Sequence, residues 1–193
     1  SQTLDVLQAN INVLLFFLGL MEISAVAAQA GIFEWGAQFA VRFAGRNGTG
    51  LIITAIILGA IVTAFLSNDA TALVLTPVVF TLVSGLKLNP LPYMFATAFI
   101  ANTASLLLPV SNPVNLLAVD AFNISLKDYL RYLFVPGLIA ILINTLLFIV
   151  IFKKDIKVRF SIDNIQSFEK YYNFFRFTGI VLGITAVAYL VLS

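Results

Sequence analysis

Two short polar stretches interrupt an otherwise apolar chain. One is Ser67-Asn68-Asp69, and the other runs from Asn102 to Asn115 with Pro109, Ser111, Asn112 and Pro113 inside it. Hydroxyls and amides at membrane depth are expensive, so clusters of them are features a simple anchor does not need. Facing helix ends and unwound carbonyls offer partial charges of both signs, which is how broken helices bind ions and polar solutes near the bilayer midplane. Asp69 is the only acid between Arg46 and Asp120, which makes it the natural proton or cation carrier; the bland alternative is a cap for the helix that follows. Glu22 is a second candidate, although a snorkelling or helix-paired acid is the simpler reading of it. Thr63, Thr76 and Thr97, taken singly, read as glue between helices.

The elements that hold these residues must be membrane helices. The 193 residues are 61% apolar and only 10% charged, against roughly 25% charged in soluble domains. Charge-free runs at 47–68, 70–86, 88–119, 132–152 and 177–193 are near or above the length of a spanning helix. Stretches such as 137–152 are apolar on every face, which excludes the alternating pattern of a transmembrane barrel. With no His and no Cys, disulfides, thiolate sites and the commonest general base are excluded. No metal or cofactor is expected. The basic residues fall between apolar runs rather than in one patch, so no nucleic-acid partner is expected either.

A first apolar segment spans about 11–30. Ile32, Trp35, Gly36, Phe39 and Phe43 then share one helical stripe, and Glu34, Gln38, Arg42 and Arg46 another, as in a helix lying on the membrane. Residues 51–66 and 70–86 form two arms of roughly 24 to 26 Å, slightly short of a ~30 Å hydrocarbon core, which favours a re-entrant hairpin with Ser67 to Asp69 at its tip. Residues 92–122 would overshoot the bilayer as one helix, and Pro109 and Pro113 predict an unwound centre. Ser125 to Phe134 reads as a second amphipathic helix, and Pro136 as the start of a further segment ending at Phe152. A linker over 153–177 leads to a last helix, 178–193, expected to be cut short. Nine of the 11 Lys and Arg residues fall on one side of this scheme, with Lys127 and Arg131 on the other. That places the linker and the hairpin mouth in the cytoplasm and the N-terminus outside.

The run Ser67-Asn68-Asp69-Ala70-Thr71-Ala72-Leu73-Val74-Leu75-Thr76-Pro77, together with Ala101-Asn102-Thr103-Ala104-Ser105 and Pro109-Val110-Ser111-Asn112-Pro113-Val114-Asn115, resembles the membrane subunits of arsenite efflux pumps (ArsB) in the ArsB/NhaD ion transporter superfamily. Phe33-Glu34-Trp35 and Phe152-Lys153-Lys154-Asp155-Ile156 are similar to the same family. The resemblance implies an all-α membrane protein of two inverted repeats, each with a re-entrant hairpin and a broken helix. On that scheme 1–152 is the first repeat, 153–177 a cytoplasmic linker and 178–193 the start of the second repeat. It further implies a proton-coupled exporter of arsenite or antimonite with Ser67, Asn68, Asp69, Thr71, Asn102, Thr103, Ser105, Ser111, Asn112 and Asn115 around the solute, and Asp69 and then Glu22 for coupling. Asn102 stands where many relatives are expected to carry Asp, which weakens any two-acid scheme.

Arsenous acid is a small neutral polyol-like solute, whose hydration shell the hydroxyls and amides of Ser67, Asn68, Ser111, Asn112 and Asn115 can replace. A sodium/proton antiporter or organic-anion carrier on the same scaffold is the nearest rival. A non-catalytic membrane subunit is another. An intramembrane protease built on Asp69 and Asp120 is disfavoured, because the first is expected at mid-membrane and the second near an interface. The expected partners are the bilayer and a second copy of the chain in a homodimer; the resemblance also allows an ATPase, which would be a separate subunit, since no nucleotide motif occurs here.

Overall fold

The computed structural model describes residues 11–161 and 172–192. Nine α-helices account for most of them: α1 (Ile11–Gln29), α2 (Ile32–Phe43), α3 (Gly48–Phe65), α4 (Thr76–Gly85), α5 (Leu91–Ala104), α6 (Pro113–Ala121), α7 (Leu126–Ile151), the single turn α8 (Lys153–Ile156) and α9 (Tyr172–Leu192). No strand occurs among the described residues, only one isolated bridge between Asn47 and Arg159. The all-helical membrane class expected from composition holds. Helices α3 and α7, of 18 and 26 residues, are long and apolar enough to cross a membrane. So is the pair α1 and α2 taken together, bent by 63°. Gly31 makes that bend, with φ at 78° in the left-handed region where a Cβ is disfavoured.

Each break in the chain has a local cause. Asn47 caps α3, its Oδ1 accepting from the Gly50 N–H at 2.6 Å. Leu108 and Asn112, each preceding a proline, are extended with φ of −136° and −150°, because the proline ring disfavours helical geometry in the residue before it. A three-residue 3₁₀ turn, Pro109–Ser111, separates α5 from α6.

Three boundaries differ from the sequence reading. The interruption after α3 covers only Leu66 and Ser67, and helix resumes at Asn68. Pro136 starts nothing: it sits inside the continuous α7, which joins the expected amphipathic helix to the segment after it. Membrane helices tolerate such a proline where neighbours and local adjustment re-satisfy the freed carbonyl. The last helix begins at Tyr172, so 172–177 is helical rather than linker, while the rest of that linker, 162–171, lies outside the described residues.

The core sits where α3 crosses α5, the most extensive helix pair. Gly59 permits it: a Cβ there would lie 2.5 Å from Cγ2 of Ile100, a fully buried residue. Small-residue crossings of this kind bring membrane helices together by close packing, since lipid supplies no hydrophobic drive. Helix α7, by contrast, leaves Leu138, Ile139, Leu142, Ile143, Leu146 and Leu147 exposed, an apolar surface suited to hydrocarbon.

Candidate functional site

The turn after α3 closes on itself through hydroxyls. Ser67 Oγ accepts from the Ala70 N–H at 3.0 Å, so the cap of the returning helix is Ser67. Asp69 lies already in helical geometry and caps nothing. The returning helix starts as a π-helix, Ala70–Leu75, before tightening into α4. Thr76 explains part of this widening: its N–H and its Oγ both donate to the Thr71 carbonyl, the side-chain bond at 3.1 Å, while Pro77 has no N–H to give the preceding turn. Such π segments often mark functional positions.

Thr71 is fully buried and shares a hydrogen bond of 2.8 Å with Thr63 Oγ1, eight residues back on α3. That contact proves the chain reverses at Ser67, giving the hairpin its tip. It also commits the Thr71 hydroxyl to closing the hairpin. Asn68, half-buried beside it, has its Oδ1 buried with no hydrogen-bond partner. Asp69 is half-buried too.

The break in the second span meets this tip from one side. Ser111, fully buried, donates from Oγ to the Ala64 carbonyl at 3.1 Å. Ala64 belongs to the last turn of α3, whose carbonyls lack intrahelical donors, so the 3₁₀ turn satisfies a helix end and joins the two clusters. Asn112 Oδ1 caps α6, accepting from the Val114 N–H at 2.9 Å. Asn115 Nδ2 reaches across the break to the Ser105 carbonyl at 2.8 Å, and Ser105 Oγ donates to the Asn102 carbonyl at 2.6 Å. The break is thereby a tied loop rather than a slack one. Asn102 itself faces outward.

Thr63, expected as glue between helices, acts as that by holding Thr71 at the hairpin tip. One further contributor is not singled out by the sequence reading. Asn144, on α7, donates from Nδ2 to Thr103 Oγ1 at 2.9 Å and ties the broken span to its neighbour. The signal was present in Asn144-Thr145, the only polar pair in the apolar run 137–152. We expect Asn144→Leu to lower stability by about 1 kcal/mol, the usual worth of an interhelical bond in a membrane, read as a small drop in the thermal midpoint of the detergent-solubilised chain.

Glu22 is placed differently from the others. It is exposed on α1 and faces a crevice formed with Phe177, Thr178, Val181 and Leu182 near the start of α9. Phe65 beside the tip and Val110 in the break instead face Leu20, Ile23, Leu182 and Thr185, which give the site an apolar wall from α1 and α9. No group of three His, Cys, Asp or Glu residues able to hold a metal occurs among the described residues.

The chain is 36% identical over 155 residues to the arsenical pump membrane protein of Escherichia coli strain K12, covering 78% of this chain and 36% of that protein. It is 33% identical over 149 residues to the arsenical pump membrane protein of Yersinia enterocolitica, covering 76% and 35%. An uncharacterised transporter of Synechocystis is 30% identical over 141 residues, covering 73% and 31%. The chain thus spans about a third of the length of these relatives. No solved structure matches it. The model of the citrate transporter family, CitMHS, matches residues 3–193. A helical, multi-pass membrane protein with a capped hairpin tip set against a proline-broken span, this chain belongs to the CitMHS family.

Proposed function

We propose that the protein carrying this chain is a secondary active transporter that exports arsenite or antimonite in exchange for protons, with the solute held between the hairpin tip and the broken span. The observation that carries this is the Asn68 Oδ1, a buried acceptor with no partner. Buried polar atoms left unpaired cost free energy unless a ligand satisfies them. A lone acceptor pairs with a solute that donates or with a cation, and arsenous acid presents three O–H donors. Asp69 argues in the same direction. A carboxylate in the first turn of the returning helix offsets the positive helix end there, which disfavours a polyanion such as citrate at the tip. The names of the Escherichia coli and Yersinia relatives accord with this reading. The family's citrate label supports the rival, an organic-anion carrier.

On this reading the hairpin is re-entrant, the chain forms the first of two repeats, and 153–161 faces the cytoplasm. A homodimer and a separate ATPase subunit are compatible with it. The test is transport of arsenite into inverted vesicles containing the full-length protein. Asn68→Ala should leave the protein folded, because Oδ1 holds nothing in place, and should reduce arsenite transport about tenfold, the effect of losing one buried hydrogen bond of roughly 1.4 kcal/mol. Citrate transport without arsenite transport would establish the organic-anion carrier instead, and full transport by Asn68→Ala would remove this residue from the site.

A further inference from the structure

Residues 153–160 fold back as a strap across the ends of α3 and α5. Ile156 and Phe160 anchor it as buried side chains. The Gly48 N–H donates to the Val158 carbonyl at 2.8 Å and the Phe160 N–H to the Arg46 carbonyl at 3.1 Å, flanking the antiparallel Asn47–Arg159 bridge. Asn89 Nδ2 holds Asp155 Oδ1 at 3.1 Å. With Ile156 and Phe160 turned inward, the strap leaves Lys153, Lys154, Lys157 and Arg159 exposed. The bridge sets Arg159 opposite Asn47, next to Arg46, which like Arg42 is exposed at the end of α2. Residues more than a hundred positions apart thus form one cationic surface, and Asp155, already bound to Asn89, is the one acid on the strap.

The same helix α2 presents an aromatic ladder on its outer stripe. Trp35, Phe39 and Phe43 are 53%, 49% and 67% exposed, with successive ring centroids 5.6 and 4.3 Å apart. Arg42, in the last turn of α2, lies on the neighbouring stripe, and Arg46 follows in the turn just past the helix end. Large rings suit the headgroup level of a bilayer, and clustered Lys and Arg attract an anionic leaflet.

We propose that α2 and the strap together form a docking surface for anionic phospholipid headgroups. Charge complementarity selects this occupant: six cations beside a row of exposed rings match a phosphate layer over hydrocarbon. A protein partner would bury the rings but would leave the surrounding cations needing an acidic counterpart. The proposal stands independently of which solute is transported.

The chain has a single Trp, which makes a direct test possible. Trp35→Phe with Phe43→Trp moves the fluorophore next to Arg42 and Arg46. The chain is then reconstituted in phosphatidylcholine vesicles containing either dibrominated phosphatidylglycerol or dibrominated phosphatidylcholine, and Trp quenching is compared. We expect phosphatidylglycerol to be preferred about fivefold or more at low salt, the effect of one or more cations near the surface, and the preference to shrink in 1 M salt as screening shortens. Arg46→Gln with Arg159→Gln should cut it severalfold. Arg131→Gln, at the opposite end of α7 beside Tyr132, should leave it unchanged. Equal quenching by the two lipids, or a preference that survives Arg46→Gln with Arg159→Gln, overturns the proposal. Displacement by millimolar glycerophosphate would make this a free-phosphate site, and absence of quenching by both lipids would mean that protein covers the face; either result also overturns it.

Discussion

If the proposed function holds, Asp69→Asn in the full-length protein is expected to keep arsenite binding and to abolish the response of transport to an imposed pH gradient. The amide preserves the size of the side chain and an acceptor oxygen, and it removes the carboxyl group. Because Ser67 rather than Asp69 caps the returning helix, the substitution spares the turn. No other acid lies on the hairpin itself or on α5. Efflux from vesicles with and without a pH gradient checks this, with a target of the level seen in protein-free vesicles for the gradient-dependent part. A variant that still responds fully moves the proton site elsewhere. Glu22 is then next, in its crevice against α9.

Gly48→Ala should cost the chain about 2 to 3 kcal/mol, the upper range for forcing atoms into a packed site. A Cβ at this position would collide with the Ile156 carbonyl of the strap and would stand 2.6 Å from the Tyr93 hydroxyl. Neither neighbour can yield easily. Tyr93 is fully buried and its hydroxyl donates to the Gly48 carbonyl at 3.3 Å. The Ile156 carbonyl belongs to a backbone fixed by the Gly48–Val158 and Phe160–Arg46 bonds on its C-terminal side. The expected result is a lower thermal midpoint together with faster proteolysis within 157–161 as the strap lifts. Gly85→Ala is the matched control, since nothing lies within 4 Å of a Cβ there, and helix propensity favours alanine. Equal midpoints for the two variants would show that the strap is not packed as described.

What the sequence determined by itself was whatever the backbone settles locally. Pro109 and Pro113 remove donors and push Leu108 and Asn112 to extended geometry, so the break in the second span was legible to within a few residues. The scarcity of charge and the length of the apolar runs specified a helical membrane protein, and Ser67-Asn68-Asp69 marked the end of α3. Tertiary structure decided what each polar side chain does once the helices meet. A hydroxyl takes whichever carbonyl or hydroxyl the neighbouring helix presents: Ser111 goes to Ala64, Thr71 to Thr63 and Asn144 to Thr103, while Asn68 Oδ1 is left unpaired. Pro136 stays within a helix for a related reason, because the cost of a missing N–H depends on surroundings that sequence spacing does not encode. The cationic face is the clearest case, since only the strap's return onto residues 46–48 brings Arg159 beside α2, and no local pattern specifies a contact across more than a hundred residues.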